Sequence, residues 1–219
     1  MCGRYNLEPD AKAWLDSLAI ARDLLDAADW QGRYNIAPGT WVAIIRAAAG
    51  GDALVVDKTL WGFVPKWMKE EKPKSRPINA RAETIASKPF FRDAFKHRRC
   101  LFIASGYYEW QATPAGKQPF NIVQRSGEPF LMAGIWDNWR GDDTAAIITI
   151  AANDELVAIH DRMPVMITPE DARSWLLDEN PSQWLRPAPA GQFWGYPVSN
   201  RVNNPANDSP ANIEAVAIG

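Results

Sequence analysis

The sequence is poor in the side chains that hold metals and form disulfides. Its 219 residues include two cysteines, Cys2 and Cys100, and two histidines, His97 and His160. Cysteines so far apart suggest neither a disulfide framework nor a zinc motif, so no metal and no cofactor are expected. No apolar run approaches the roughly 20 residues that a membrane span needs, and the N-terminus lacks the basic-then-apolar order of a secretory signal. The expected compartment is therefore the cytoplasm, without membrane contact. Internal repeats, low-complexity tracts and Gly/Ser linkers are also missing, which favours one domain over residues 1–219. A chain of this length can bury a substantial core. Its 47% hydrophobic and 23% charged residues lie near the average for folded soluble proteins.

What is plentiful is tryptophan, with eleven residues, and locally positive charge. Residues 66–99 hold eleven Lys and Arg against four Asp and Glu, whereas the whole chain has a net charge of −2. A basic segment inside an otherwise acidic protein points to a focused anionic partner, the alternative being a solvated face.

Residues 8–30 read as a helical region, with Pro9 and Asp10 suited to its first turn. Residues 41–65 read as two strands joined at Gly50, Gly51 and Asp52. A short basic helix over residues 88–99 leads into "CLFIASGYYEW", read as a buried strand in which Cys100 is a small core residue. Residues 118–139 resemble a hairpin turning at Ser126 and Gly127, and residues 144–153 form a further strand. Thr168 is expected to cap a helix that begins at Pro169, with Asp171 completing a capping box, and Asn180 and Pro181 to start another. Strands outnumber helices without alternating with them, which predicts α+β on antiparallel sheet.

Four places could carry chemistry. The first is "MCGRYNL". Removal of Met1 would leave Cys2 with a free α-amine, of pKa about 7.7–8.0, beside a thiol. Such an amine attacks aldehydes to give imines, and the thiol can then close a five-membered thiazolidine. The plain alternative is an incidental or buried cysteine. The second is Glu109 in "GYYEW", where loss of hydration would raise the carboxyl pKa and suit it to proton transfer. The third is "HDRMPV", with His160 able to titrate near neutrality and Arg162 offering an anion fork. The fourth is "NARAET", in which Asn79 can orient a reacting group and Arg81 can bind an anion. Each has a structural alternative when taken alone.

Together with "RYNIAP", "LWGFVPKW" and "VSNRVNN", these stretches occur in an order and spacing that resembles the SRAP family, named for SOS response-associated peptidases and understood as abasic-site processing proteins. The resemblance covers a core of about residues 2–204 and implies a barrel-like antiparallel sheet with flanking helices. It implies that Cys2 bonds covalently to the ring-opened aldehyde of an abasic site in single-stranded DNA, with Asn79, Glu109 and His160 around it. Asn79 would hold the amine and thiol, Glu109 would move a proton at the amine, and His160 would act on the sugar. Arg4, Arg81 and Arg162 would hold phosphates, and Trp67 would stack on bases. Met68 stands where members often carry a second aromatic residue. Strand cleavage and N-terminal self-processing are accompanying expectations, and a monomer associated with the nucleoid while on DNA is expected. The competing readings are a cysteine peptidase using Cys2, His160 and Glu109, and a non-covalent single-strand binder.

Overall fold

Aliphatic and β-branched runs such as "WVAIIRA", "RCLFIA" and "TAAIITIA" fit a pleated surface, and they form strands with largely buried centres. The computed structural model describes residues 2–51 and 53–217. Its strands are β1 (Tyr5–Leu7), β2 (Arg22–Asp23), β3 (Arg33–Ile36), β4 (Trp41–Ala47), β5 (Leu54–Trp61), β6 (Asn79–Arg81) and β7 (Arg99–Ala104). They continue with β8 (Gly106–Thr113), β9 (Gly116–Gln124), β10 (Phe130–Trp139), β11 (Asp142–Ala151), β12 (Arg162–Pro164), β13 (Met166–Ile167) and β14 (Phe193–Pro197). The helices are α1 (Ala11–Leu18), α2 (Ala82–Ile85), α3 (Arg92–His97) and α4 (Ala172–Leu177), none of them long and apolar enough to cross a membrane.

Strands β11, β10, β7, β4 and β5 pair antiparallel in that order, and a parallel contact of β5 with β11 (Leu60 opposite Thr144, Trp61 opposite Ala145) closes them into a five-strand barrel. The closing contact spans two residue pairs, and beyond it those two edges are covered by β2 on β5 and by β6 and β12 on β11. A second, antiparallel sheet runs β14-β9-β8-β1-β3. Both sheets share one core: Trp61 of the barrel packs edge-on against Tyr5 of β1 at 5.4 Å and against Phe102 at 6.3 Å. The expected α+β fold with a barrel-like antiparallel sheet is therefore the observed one.

Several local expectations change. The helical region over residues 8–30 stops at Leu18, where Ala19 takes a left-handed φ of 49°. Arg22 and Asp23 then pair parallel to β5, and Ala27–Trp30 form a 3-10 turn fastened by the Trp30 indole donating to Asp23 at 2.9 Å. "CLFIASGYYEW" breaks at Ser105 into β7 of the barrel and β8 of the second sheet. The turn at Gly127 (φ 78°) is present, but β9 joins β8 and β14 while β10 joins β7 and β11, so residues 118–139 are not a hairpin. Helix α4 starts at Ala172, with Thr168 receiving the Asp171 N–H one turn earlier. Strands β4 and β5 pair as expected, though Asp52 of their connection lies outside the described residues. Cys100 is a buried core residue.

The basic segment over residues 66–99 is not a single exposed face. Arg99 is buried, and its guanidinium donates to the carbonyls of Phe95, Lys96, Trp175, Leu176 and Asp178, tying α3 to α4. Arg98 pairs with Asp137 at 2.9 Å and with Asp93. The other nine basic residues of the segment remain exposed.

Candidate active site

Strand β1 pairs with β8 at Tyr5 opposite Tyr107, and the Arg4 carbonyl accepts the Tyr108 N–H at 2.9 Å. Continued in this register, the segment before β1 carries Cys2 alongside the middle of β8, close to Glu109. Alternation along β8 puts Tyr107 and Glu109 on one face and Tyr108 on the other, where its hydroxyl donates to the Tyr34 carbonyl at 2.6 Å. Cys2 is wholly buried, and its sulfur accepts the Arg4 N–H. Its carbonyl accepts the Asn79 side-chain amide at 2.8 Å. The Arg4 guanidinium is turned inward: Nη1 donates to Asn35 Oδ1 and to the Val202 carbonyl, each at 2.7 Å. Asn35 in turn donates to the carbonyls of Val202, Asn204 and Asn207.

Strand β11 gathers the remaining residues. It pairs parallel with β6 at Ile147 opposite Asn79 and Thr149 opposite Arg81, and antiparallel with β12 at Ala151 opposite Arg162. His160 lies in the turn just before β12. Gln111, two residues beyond Glu109 on β8, holds that turn by donating to the Ala158 carbonyl at 2.8 Å. His160 Nδ1 accepts the Arg162 N–H at 2.9 Å, which assigns the proton of the neutral ring to Nε2. Nε2 is 3.8 Å from Glu109 Oε2, and the Asp161 carboxylate is 3.1 Å from Nδ1.

Burial dominates the electrostatics. It pushes the Glu109 carboxyl up to about 7, raises the Cys2 thiol with added repulsion from Glu109, and lowers His160. Near neutral pH the thiol is therefore protonated, the imidazole neutral and Glu109 poised between its two states.

The other expected residues lie around this centre. Arg162 forms a two-pronged ion pair with Glu83, and its Nη2 also donates to the Thr149 carbonyl at 2.6 Å. Arg81 is exposed at the start of α2. Trp67 is half-exposed on the segment after β5, edge-on to Phe90 at 6.0 Å. Half-buried Met68 gives its carbonyl to the Trp139 indole at 3.0 Å. Cys2, Asn79, Glu109 and His160 thus meet in one place, with Arg162 directly behind His160, whereas Trp67 and Met68 stand on a separate segment. A cavity of about 640 Å³ lined by Trp14, Met166, Trp184 and Phe193 contains none of these residues. Sequence reasoning missed Gln111 and Glu83. Gln111 shares the two-residue period of Glu109, and Glu83 follows Arg81 by two residues, so both were within reach of simple spacing arguments.

The fold is thus a closed five-strand barrel in an α+β protein, with Cys2, an amide, a buried carboxyl and an imidazole gathered in one place. The family model described as SOS response associated peptidase (SRAP) matches residues 1–205, and the chain belongs to that family. It is 36% identical to the abasic site processing protein YedK of Escherichia coli, over 99% of this chain and 100% of that protein. It is 34% identical to the abasic site processing protein YoqW of Bacillus subtilis, over 98% of this chain and 100% of that one. A crystal structure of a Bacteroides thetaiotaomicron protein shares the fold, with a TM-score of 0.81 at 24% identity over 97% of both chains.

Proposed function

We propose that this protein processes abasic sites in single-stranded DNA, capturing the ring-opened aldehyde as a thiazolidine on Cys2. The names of the full-length relatives support abasic-site processing. The observation that carries the covalent reading is Cys2 fixed by Asn79 and enclosed beside a carboxyl of pKa about 7.

The route requires the Cys2 amine, hence loss of Met1, which lies outside the described residues. The amine adds to the aldehyde carbon to give a carbinolamine. Protonated Glu109 then gives its proton to the departing hydroxyl, so water leaves as an iminium forms, and the iminium N–H proton returns to Glu109 to leave the neutral imine. The Cys2 sulfur adds to the imine carbon while the thiol proton passes through Glu109 to nitrogen, closing the ring. One aldehyde and one aminothiol thus yield one thiazolidine and one water. A neutral, buried thiol favours this amine-first order over attack by a thiolate on a peptide. His160 supports proton movement on the sugar through its Nε2–H toward Glu109. Removal of a C2′ proton from the imine, its electrons forming a C2′=C3′ double bond as the 3′-phosphate departs before ring closure, is the strand-cleaving branch. Half-exposed Trp67 and the lysines that follow it suit stacking and charge contacts along a single strand.

Intact-mass measurement after incubation with an abasic single strand tests the proposal. The expected product is one adduct per Met1-processed chain, resistant to denaturation and missing in Cys2→Ala. In Cys2→Ser, only a borohydride-trappable imine is expected. An adduct that persists in Cys2→Ala would refute the cysteine route.

A further inference from the structure

The Arg162 guanidinium is held by two different kinds of partner. On its inner side Nη2 donates to the Thr149 carbonyl at 2.6 Å, and strand pairing of Arg162 with Ala151 fixes the backbone. On its outer side Nη1 and Nη2 present parallel N–H bonds to the two carboxylate oxygens of Glu83. The exposure of the partners differs sharply: the Arg162 side chain is 13% exposed and that of Glu83 48%. The arginine is therefore the fixed member and the glutamate the one facing water. Glu83 sits in α2, a single helical turn, two residues after exposed Arg81. Hydrogen bonding by Arg162, aided by the charge of Arg81, holds its carboxyl below the ordinary glutamate range, so it is ionised at neutral pH.

We propose that Glu83 is a placeholder for a DNA phosphate: in the free protein its carboxylate occupies the outward fork of Arg162, and an incoming backbone phosphate must displace it. The inference rests on the DNA-directed reading above and adds a specificity element to it. A carboxylate and a phosphate offer the same fork of oxygens to a guanidinium, so one can exchange for the other without moving Arg162. The exchange brings a phosphate next to the released carboxylate, and like charges at that range oppose binding. Non-covalent affinity for any strand is lowered as a result. Abasic strands escape this limit because the bond at Cys2 retains them, whereas undamaged strands depart.

Anisotropy titration with an undamaged single strand over a range of salt concentrations tests this. Glu83→Gln is expected to bind about fivefold tighter than wild type, the scale of one partly exposed ion pair. The slope of log affinity against log salt should steepen, because no released carboxylate remains to take up a cation as the phosphate binds Arg162. Glu83→Ala should move the same way, and adding Arg162→Ala should abolish the gain. Unchanged or weaker binding by both Glu83 variants, with cooperative unfolding retained, would overturn the placeholder role and leave Glu83 as a support for Arg162. Adduct formation by wild type on an abasic strand is measured in parallel. Its failure counts against the proposed function, while the undamaged-strand comparison decides the role of Glu83 in either case.

Discussion

Replacing Glu109 by glutamine is expected to strengthen the fold while disabling the site. The Glu109 carboxyl is almost wholly buried, and burial raises its pKa from 4.5 to about 7. At about 1.4 kcal/mol per pH unit, this corresponds to about 3 kcal/mol borne by the folded state whenever the carboxyl is ionised. The sign follows from proton binding. The folded chain holds this proton more tightly than the unfolded one, so the favourable contribution is complete below pH 4.5 and is lost as pH rises through about 7. Glutamine keeps the shape, can accept from the His160 Nε2–H, and never ionises. Urea unfolding at pH 8 should therefore show Glu109→Gln about 3 kcal/mol more stable than wild type, and at pH 4 the two should agree within about 1 kcal/mol. Adduct formation should fall about a hundredfold, the usual weight of a positioned acid–base group. A variant no more stable than wild type at pH 8, or equally stabilised at pH 4, would refute the claim that burial sets the state of Glu109.

Trp67→Ala should weaken single-strand binding by about 1–3 kcal/mol through lost stacking, with no change in melting temperature because the ring is half-exposed. Arg99→Met should cost about 3 kcal/mol or more in chemical denaturation, since five buried or half-buried carbonyls of α3 and the α4 region lose their donor.

Much of the site could be read from the sequence because its chemistry resides in short stretches. "MCGRY", "NARAET", "GYYEW" and "HDRMPV" each hold a residue that pairing along β11 or β8 brings to one site. What the sequence concealed was which surfaces those residues face. Arg4 and Arg162 have the side chains of phosphate binders, yet the first is bonded to Asn35 and Val202 and the second to Glu83 and Thr149. Strand identities were legible from apolar runs, but strand partners were not. Residues 118–139 carry a sound turn and two sound strands, and only the long-range pairings of β9 with β14 and of β10 with β7 send them to separate sheets. The helical pattern over residues 8–30 failed similarly, because an edge of β5 offered Arg22 and Asp23 a ladder that local propensity could not anticipate.

The anchors of the N-terminal segment lie near the far end of the chain. Arg4 meets the Val202 carbonyl across 198 residues of chain, and Asn35 meets Asn204 and Asn207 across 169 and 172. Residues at and just after the first strand are thus tied to partners 169–198 positions later, a sequence separation of the kind that slows assembly. A chain lacking residues 202–207 keeps the pairing of β1 with β3 and β8 and the Arg4–Asn35 bond, but loses the Val202 acceptor of Arg4 and all three carbonyl acceptors of Asn35. The clamp on Arg4, two residues from Cys2, is accordingly complete only when residues 202–207 are in place, so a change in that distant segment can loosen the backbone that positions the cysteine.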